Sequence, residues 1–208
     1  MSTTHFDKKA KDWDKDVEKS TRAKLIATKI VNYIKPTNQM NALEFGCGTG
    51  LLSFALKDAF KTITLVDSSE GMINVLKEKI ENQQIKNFKP LLIDLIKTPS
   101  KIEKTDVIFT LMTLHHINNI EQISNIFHSL LNTNGYLCIA DLDEEDGSFH
   151  PKEQNFDGHF GFNKNNLETI LKNAGFEIVH YSIPYTIENK ETDKKYPVFL
   201  MIAKKNTA

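Results

Sequence analysis

Short apolar runs and helical apolar stripes alternate along the chain. The short runs are rich in β-branched and aromatic residues and predict strands; they lie at residues 40–45, 62–66, 91–93, 107–109 and 136–140. The stretches between them repeat apolar residues three and four positions apart and predict amphipathic helices; they lie at residues 21–34, 50–60, 72–80, 120–131 and 167–174. Ser68 is predicted to cap the third of these helices.

This alternation predicts an α/β fold, a parallel sheet with helices on both faces. The pattern changes at its end, where apolar runs at residues 178–183 and 198–203 are separated by the charged loop 188–195. That connection is too short for a helical crossover, so we expect a closing hairpin. Such an ending differs from most dinucleotide-binding Rossmann domains. Because no repeat, low-complexity segment or linker interrupts the pattern, residues 1–208 are interpreted as a single domain.

The composition narrows the class of protein. The 208 residues include 26 basic and 27 acidic side chains, a net charge of −1. This balance gives no electrostatic footprint for nucleic acid or an anionic membrane, so neither is expected as a partner. Cys47 and Cys138 fall in predicted core elements, which favours a reducing compartment. The polar N-terminus and the absence of a membrane-length apolar run predict a soluble, cytoplasmic protein.

Three glycines at alternate positions, Gly46, Gly48 and Gly50, join the first predicted strand to the next helix. Glycines there permit positive φ and let a ligand approach bare backbone N–H groups. An ordinary strand-to-helix turn could use the same residues. A dinucleotide fingerprint would need its third glycine at Leu51. The pattern E-x-G-x-G-x-G, which begins at Glu44, instead resembles motif I of the class I S-adenosylmethionine (SAM) dependent methyltransferases.

The resemblance implies a seven-stranded, mostly parallel Rossmann-like sheet whose last strand is antiparallel. It also implies SAM as cofactor, S-adenosylhomocysteine (SAH) as product, and methyl transfer as the activity. The stretch Leu114-His115-His116-Ile117 is similar to the L-H-H-I form of ubiquinone/menaquinone-type and other small-molecule methyltransferases. We therefore expect a small-molecule acceptor. The alternatives are a SAM-binding protein without catalysis or, less readily, a nicotinamide-dependent oxidoreductase.

The same resemblance implies which residues hold the cofactor. Asp67, at the end of the second strand, would accept the ribose hydroxyls; the alternative is a helix-capping acid. Asp94 would accept the adenine amino group, unless it is simply a loop aspartate, and Leu95 would meet the ring with its N–H. Glu44 would hold the shape of the glycine loop. The full predicted cofactor set is Glu44, Gly46, Cys47, Gly48, Gly50, Asp67, Ser68, Met72, Asp94, Leu95, Leu111 and Met112.

His115 and His116 follow the fourth strand, at the edge where the methyl group should lie, and are the candidate catalytic residues. We expect His116 to face the acceptor, either as a general base or as a packing residue, and His115 to face elsewhere. Adjacent histidines do not readily share one ion. The acids and imidazoles of residues 141–162 also fit no standard metal spacing, so no metal site is predicted.

Two segments are predicted to cover the site. Residues 143–163 place aromatic side chains in a polar loop, which favours a substrate lid, although the aromatics could instead pack on the core. Residues 1–34 are interpreted as an N-terminal helical cap. The stretch F-D-x-x-A-x-x-W-D, from Phe6 to Asp14, is similar to the lead-in of several small-molecule methyltransferases and favours a flap over the cofactor; a frayed terminus is the alternative. No pattern identifies the acceptor or the oligomeric state.

Overall fold

The computed structural model describes residues 3–150 and 156–206. Within them the strands form a seven-stranded sheet in the order β3-β2-β1-β4-β5-β7-β6. The strands are β1 (Asn41–Phe45), β2 (Thr62–Asp67), β3 (Phe88–Leu92), β4 (Thr105–Leu111), β5 (Leu131–Leu142), β6 (Phe176–Asn189) and β7 (Lys194–Lys205). The helices are α1 (Thr3–Lys9), α2 (Val17–Ile34), α3 (Leu51–Leu56), α4 (Glu70–Asn82), α5 (Ile120–Leu130) and α6 (Lys164–Asn173).

The first five strands run parallel, and β7 is antiparallel to both β5 and β6. The mostly parallel seven-stranded sheet predicted from the sequence is therefore confirmed. The antiparallel pairing of β6 and β7 follows from their short connection, because a hairpin must pair antiparallel.

Alternate residues of the central strands fill two separate cores. Ala42 and Val107 face the layer of α2, α3 and α4, where Ile26, Leu52 and Leu76 are buried. Their chain neighbours Leu43 and Ile108 face the layer of α5 and α6, where Phe127 and Leu171 are buried. Burying a side chain of this size contributes about 1.5–3 kcal/mol. The strands are therefore packed from both faces, and the carboxyl ends of the parallel strands lie at one edge of the sheet.

Several element boundaries differ from the predicted ones. β3 begins at Phe88 and contains Pro90, which an edge strand tolerates because its N–H is not required by a neighbour. The α4 cap is Ser69, whose Oγ accepts from the N–H of Met72 at 3.2 Å, and Ser68 precedes the cap. The helix after the glycines, α3, already ends at Leu56. No helix in the described part of the chain is long and apolar enough to cross a membrane.

Candidate active site

The glycine loop lies between the end of β1 and the start of α3. Gly46, Gly48 and Gly50 all have positive φ, at 65°, 52° and 83°. A Cβ on Gly46 would come within 2.1 Å of the Thr113 side chain, so the loop and the segment after β4 pack too closely for any larger residue. This contact places the residues after β4 directly beside the loop.

Asp67, the last residue of β2, ties the glycine loop to the start of α4. Its Oδ2 accepts from the N–H of Gly48 at 2.8 Å, and its Oδ1 accepts from the N–H of Ser69 at 2.8 Å. Burial raises the pKa of this carboxyl above its ordinary value. Since each carboxylate oxygen has two lone pairs, both oxygens can still accept a hydroxyl from a bound molecule.

Glu44 is buried beneath the loop, with 2% of its surface exposed. Its Oε2 accepts from the Ser53 N–H at 3.2 Å and also from the Ser53 hydroxyl. Both of these donors belong to Ser53 in the first turn of α3, whereas the sequence analysis expected donors from the glycine loop. Burial raises the pKa of Glu44 to about 8.

A cavity of about 260 Å³ opens at the carboxyl ends of the central strands. It brings together every predicted cofactor residue except Gly50: Glu44, Gly46, Cys47, Gly48, Asp67, Ser68, Met72, Asp94, Leu95, Leu111 and Met112. Gly50 instead begins α3, where a Cβ would come within 2.7 Å of the Leu76 side chain. Packing against α4 and a φ of 83° are sufficient reasons for a glycine at this position.

One end of the cavity is apolar, with an acid at its rim. Leu95 and Met72 are each 1% exposed and form part of its wall. Asp94 turns part of its carboxylate back onto its own loop: Oδ1 accepts from the Ile96 N–H at 3.2 Å, and Oδ2 forms an ion pair with Lys97 at 2.9 Å. That ion pair is exposed and therefore weak, so it can yield to a ligand.

The N-terminal segment, residues 3–15, contributes side chains to this cavity. Phe6 and Trp13 form part of the cavity wall. Asp7 accepts from the Ser69 hydroxyl at 2.6 Å and from the Gly71 N–H at 2.9 Å. These bonds fix α1 against the start of α4.

A second acid of the N-terminal segment, Asp14, makes an independent attachment. It accepts from the Thr49 hydroxyl at 2.5 Å and pairs with Lys79 Nζ at 2.5 Å. Lys79 also donates to the Thr49 carbonyl at 2.8 Å. The segment is thus connected to both the glycine loop and α4, two elements that contribute residues to the cavity wall.

The two candidate catalytic histidines lie in a 3-10 turn, Leu114–His116. His116 belongs to the cavity wall, whereas His115 is 1% exposed and lies behind it. His115 Nδ1 is 2.5 Å from Oδ1 of the buried Asp141. The rings of His115 and His116 lie 4.0 Å apart. Burial, and then the neighbouring His115, lower the pKa of His116 to about 3.

The segment that follows β5 packs against this turn. The rings of His150 and Phe156 stack at 3.8 Å, and Phe156 lies 5.4 Å from His116. The His159 N–H donates to the His115 carbonyl at 2.8 Å. Residues 151–155 of the predicted lid lie outside the described part of the chain.

Arg22 on α2 also belongs to the cavity wall, and the sequence interpretation missed it. Its side chain is buried, and its Nε has no hydrogen-bond partner among the described residues. Burial lowers its pKa. A signal was present, because Arg22 is the only arginine in a lysine-rich sequence. A planar, permanently charged guanidinium is suited to bidentate recognition of a carboxylate or phosphate.

Comparison with known proteins shows the family of the chain. Residues 19–181 match the model of a family described as a methyltransferase domain. The chain is 32% identical over 161 residues to an uncharacterized methyltransferase of Schizosaccharomyces pombe, covering 71% of this chain and 56% of that protein. It is 29% identical over 117 residues to a ubiquinone biosynthesis O-methyltransferase of Pelagibacter ubique, covering 56% of this chain and 48% of that protein. The chain thus spans about half the length of these relatives.

A solved structure extends the comparison to the fold. A SAM-dependent methyltransferase from Aquifex aeolicus aligns over 95% of this chain and 97% of its own, with a TM-score of 0.69 and 20% identity. At this identity the likeness concerns the fold. The family model, by contrast, covers most of the chain, including the glycine loop, the ends of the central strands and both histidines. The chain belongs to the methyltransferase domain family.

Proposed function

We propose that this protein transfers a methyl group from SAM to a small-molecule acceptor and releases SAH. The observation that carries this proposal is the cavity in which Asp67, the glycine loop and the apolar wall of Met72 and Leu95 converge at the ends of parallel strands. Ligands of open α/β sheets bind at that edge. The family of the chain supports the same reaction.

The lining suggests how SAM would lie. Its ribose hydroxyls would bond to Asp67, and its adenine would pack between Met72 and Leu95 with its amino group toward Asp94. The methionine end would then extend past Gly46 toward Met112. Arg22 would meet the methionine carboxylate, since its buried guanidinium has an unused donor within the described residues and a permanent positive charge.

Methyl transfer from a sulfonium requires positioning more than acid–base chemistry. A lone pair of the acceptor forms the new bond to the methyl carbon while the carbon–sulfur bond breaks, and its electrons remain on sulfur. Alignment of the reactants alone is worth effective molarities of about 10⁵ M or more. His116 would border the reacting methyl group, with His115 supporting it from behind.

The charge and the cysteines of the chain bear on the class of substrate and on the cellular compartment. A net charge of −1 does not favour nucleic acid as substrate. Cys47 and Cys138 are buried and unpaired, which fits a reducing cytoplasm. The O-methyltransferase among the relatives favours an oxygen acceptor of small size.

The test uses SAM carrying a labelled methyl group and fractionated metabolite extracts. We expect calorimetry to detect SAM and SAH binding and at least one fraction to accept label. Asp67→Ala serves as the inactive control. If neither SAM nor SAH binds the purified full-length protein, the proposal is wrong. Binding without label transfer to any fraction would instead favour a non-catalytic SAM-binding protein.

A further inference from the structure

Three imidazoles from two distant parts of the sequence converge beside the cavity, and one of them, His116, belongs to its wall. His115 and His116 lie in the turn after β4, and His150 lies in the segment after β5. One ring nitrogen from each lies within 4.8 Å of the others. The ring centroids of His115 and His150 are 5.3 Å apart, and those of His116 and His150 are 5.5 Å apart. The three rings therefore offer three nitrogen ligands to one ion.

The 3-10 turn is what makes the convergence feasible for neighbouring residues. Extended backbone would send the side chains of His115 and His116 to opposite sides, whereas this turn places their rings 4.0 Å apart. Tetrahedral coordination with metal–nitrogen bonds near 2.0–2.1 Å needs nitrogens about 3.3 Å apart. Modest ring rotations would therefore close the present spacing onto one ion.

Asp141 supplies the outer support that such a site requires. It is fully buried, and its Oδ1 lies 2.5 Å from His115 Nδ1. Its Oδ2 accepts from the His115 backbone N–H at 3.2 Å. With Nδ1 held in this way, Nε2 is the nitrogen that His115 can offer to an ion. Carboxylate–histidine–metal triads fix ligand orientation by the same arrangement.

The ring of His116 is prepared for a ligand role in another way. Its Nδ1 is buried and has no hydrogen-bond partner among the described residues. An imidazole nitrogen that is left buried without a partner costs free energy, and a bound cation would recover it.

We propose that His115, His116 and His150 bind one divalent transition-metal ion of the zinc type, supported by Asp141. Three histidines suit zinc and its neighbours in the first row, whereas magnesium and calcium prefer oxygen ligands. Three protein ligands leave a fourth position open, as in catalytic zinc sites. Because His116 belongs to the cavity wall, that open position would face the bound acceptor.

The role assigned to the ion rests on the proposed methyl transfer, whereas binding of the ion does not. An acceptor hydroxyl bound at the open position would have a lowered pKa and would release its proton to solvent. The oxygen lone pair would then form the bond to the methyl carbon as the carbon–sulfur bond breaks. SAH would leave as a neutral thioether.

The experiment titrates the metal alone into the full-length protein. Protein without a histidine tag is dialysed against chelator and then titrated with Zn²⁺, with Mg²⁺ as the comparison ion. We expect one Zn²⁺ per chain with submicromolar affinity and no measurable Mg²⁺ binding. SAH binding is measured on the same sample, so that failure of the metal site is distinguished from failure of the proposed cofactor site.

Variants locate the ion. His116→Gln and His150→Gln should each weaken Zn²⁺ binding by at least about 100-fold, because even an outer partner is worth 10- to 100-fold. Asp141→Asn should weaken Zn²⁺ binding by about 10- to 100-fold. His180→Gln is the matched control, since His180 bonds to Ser182 at 2.9 Å and lies away from the cluster. The control should bind Zn²⁺ as the wild type does.

Cobalt provides a readout that does not depend on variant folding. Co²⁺ bound to three imidazoles should give the intense visible absorption of a tetrahedral site in the wild-type protein. Absence of stoichiometric Zn²⁺ binding would overturn the proposal and leave a packed aromatic cluster. Zn²⁺ binding that survives both His116→Gln and His150→Gln, with SAH binding intact, would also overturn it.

Discussion

Asp67 is the residue on which cofactor affinity should depend most. Asp67→Ala removes both acceptors for the ribose and also the bonds to Gly48 and Ser69. Charge-assisted hydrogen bonds contribute about 1.5–3 kcal/mol each, so SAM affinity should fall at least about 30-fold. Calorimetry measures this, with Asp58→Ala, an exposed aspartate, as the control. Unchanged affinity would return Asp67 to a helix-capping role.

Glu44 should make stability depend on pH. Its pKa rises from the ordinary value of 4.5 to about 8 in the folded protein, where burial disfavours the charged form. The folded state therefore holds a proton that the unfolded state has lost, so this contribution to stability is full at low pH and declines as pH rises from 4.5 through 8. Urea unfolding of wild type and Glu44→Gln from pH 5 to 9 tests it. The stability of the wild type relative to the variant should decrease as pH rises; parallel curves would contradict the raised pKa.

At the scale of whole elements, the N-terminal segment should control how fast the cofactor leaves. Asp14→Ala removes the acceptor of Thr49 and the partner of Lys79. Loss of such bonds should speed SAH release about tenfold, since they must break before the segment opens. Trp13, the single tryptophan, belongs to the cavity wall and reports release by fluorescence in stopped flow.

The control for this prediction lies in the same segment. Asp12 forms an exposed ion pair with Lys15 at 2.6 Å and has no contact with the glycine loop in the described structure. Exposed pairs of this kind contribute little. Asp12→Ala should therefore release SAH at the wild-type rate. Equal release rates for Asp12→Ala and Asp14→Ala would show that the segment does not gate the cavity.

The elements differ in how well sequence predicts them. Buried parallel strands and amphipathic helices carry clear sequence patterns, so their succession along the chain was predicted. The positions of Asp67 and Asp94 after the second and third strands were predicted in the same way. The edge strand β3 was predicted too short, because Pro90 interrupts its sequence pattern but does not end the strand. The contact of His150 with His116 joins two loops, and no local pattern determines how loops pack together.

At the scale of the whole molecule, ligand binding should appear as thermal stabilisation. SAH at about 100 times its dissociation constant adds about 2.7 kcal/mol. For a chain of 208 residues this corresponds to a rise in melting temperature of roughly 5–10 °C. NAD should give no rise, since the loop lacks the dinucleotide spacing. A rise with NAD and none with SAM or SAH would reverse the choice of cofactor.

Arg22, the single arginine of the sequence, is a unique site for chemical modification. A dicarbonyl reagent such as phenylglyoxal, which attacks guanidinium groups, has one target in the chain, and that target borders the cavity. We expect SAH to slow this modification severalfold by occupying the space through which the reagent must pass. Equal labelling with and without SAH would show that Arg22 does not meet the cofactor. Mass spectrometry of intact protein would read occupancy as a single mass increment, without any engineered probe.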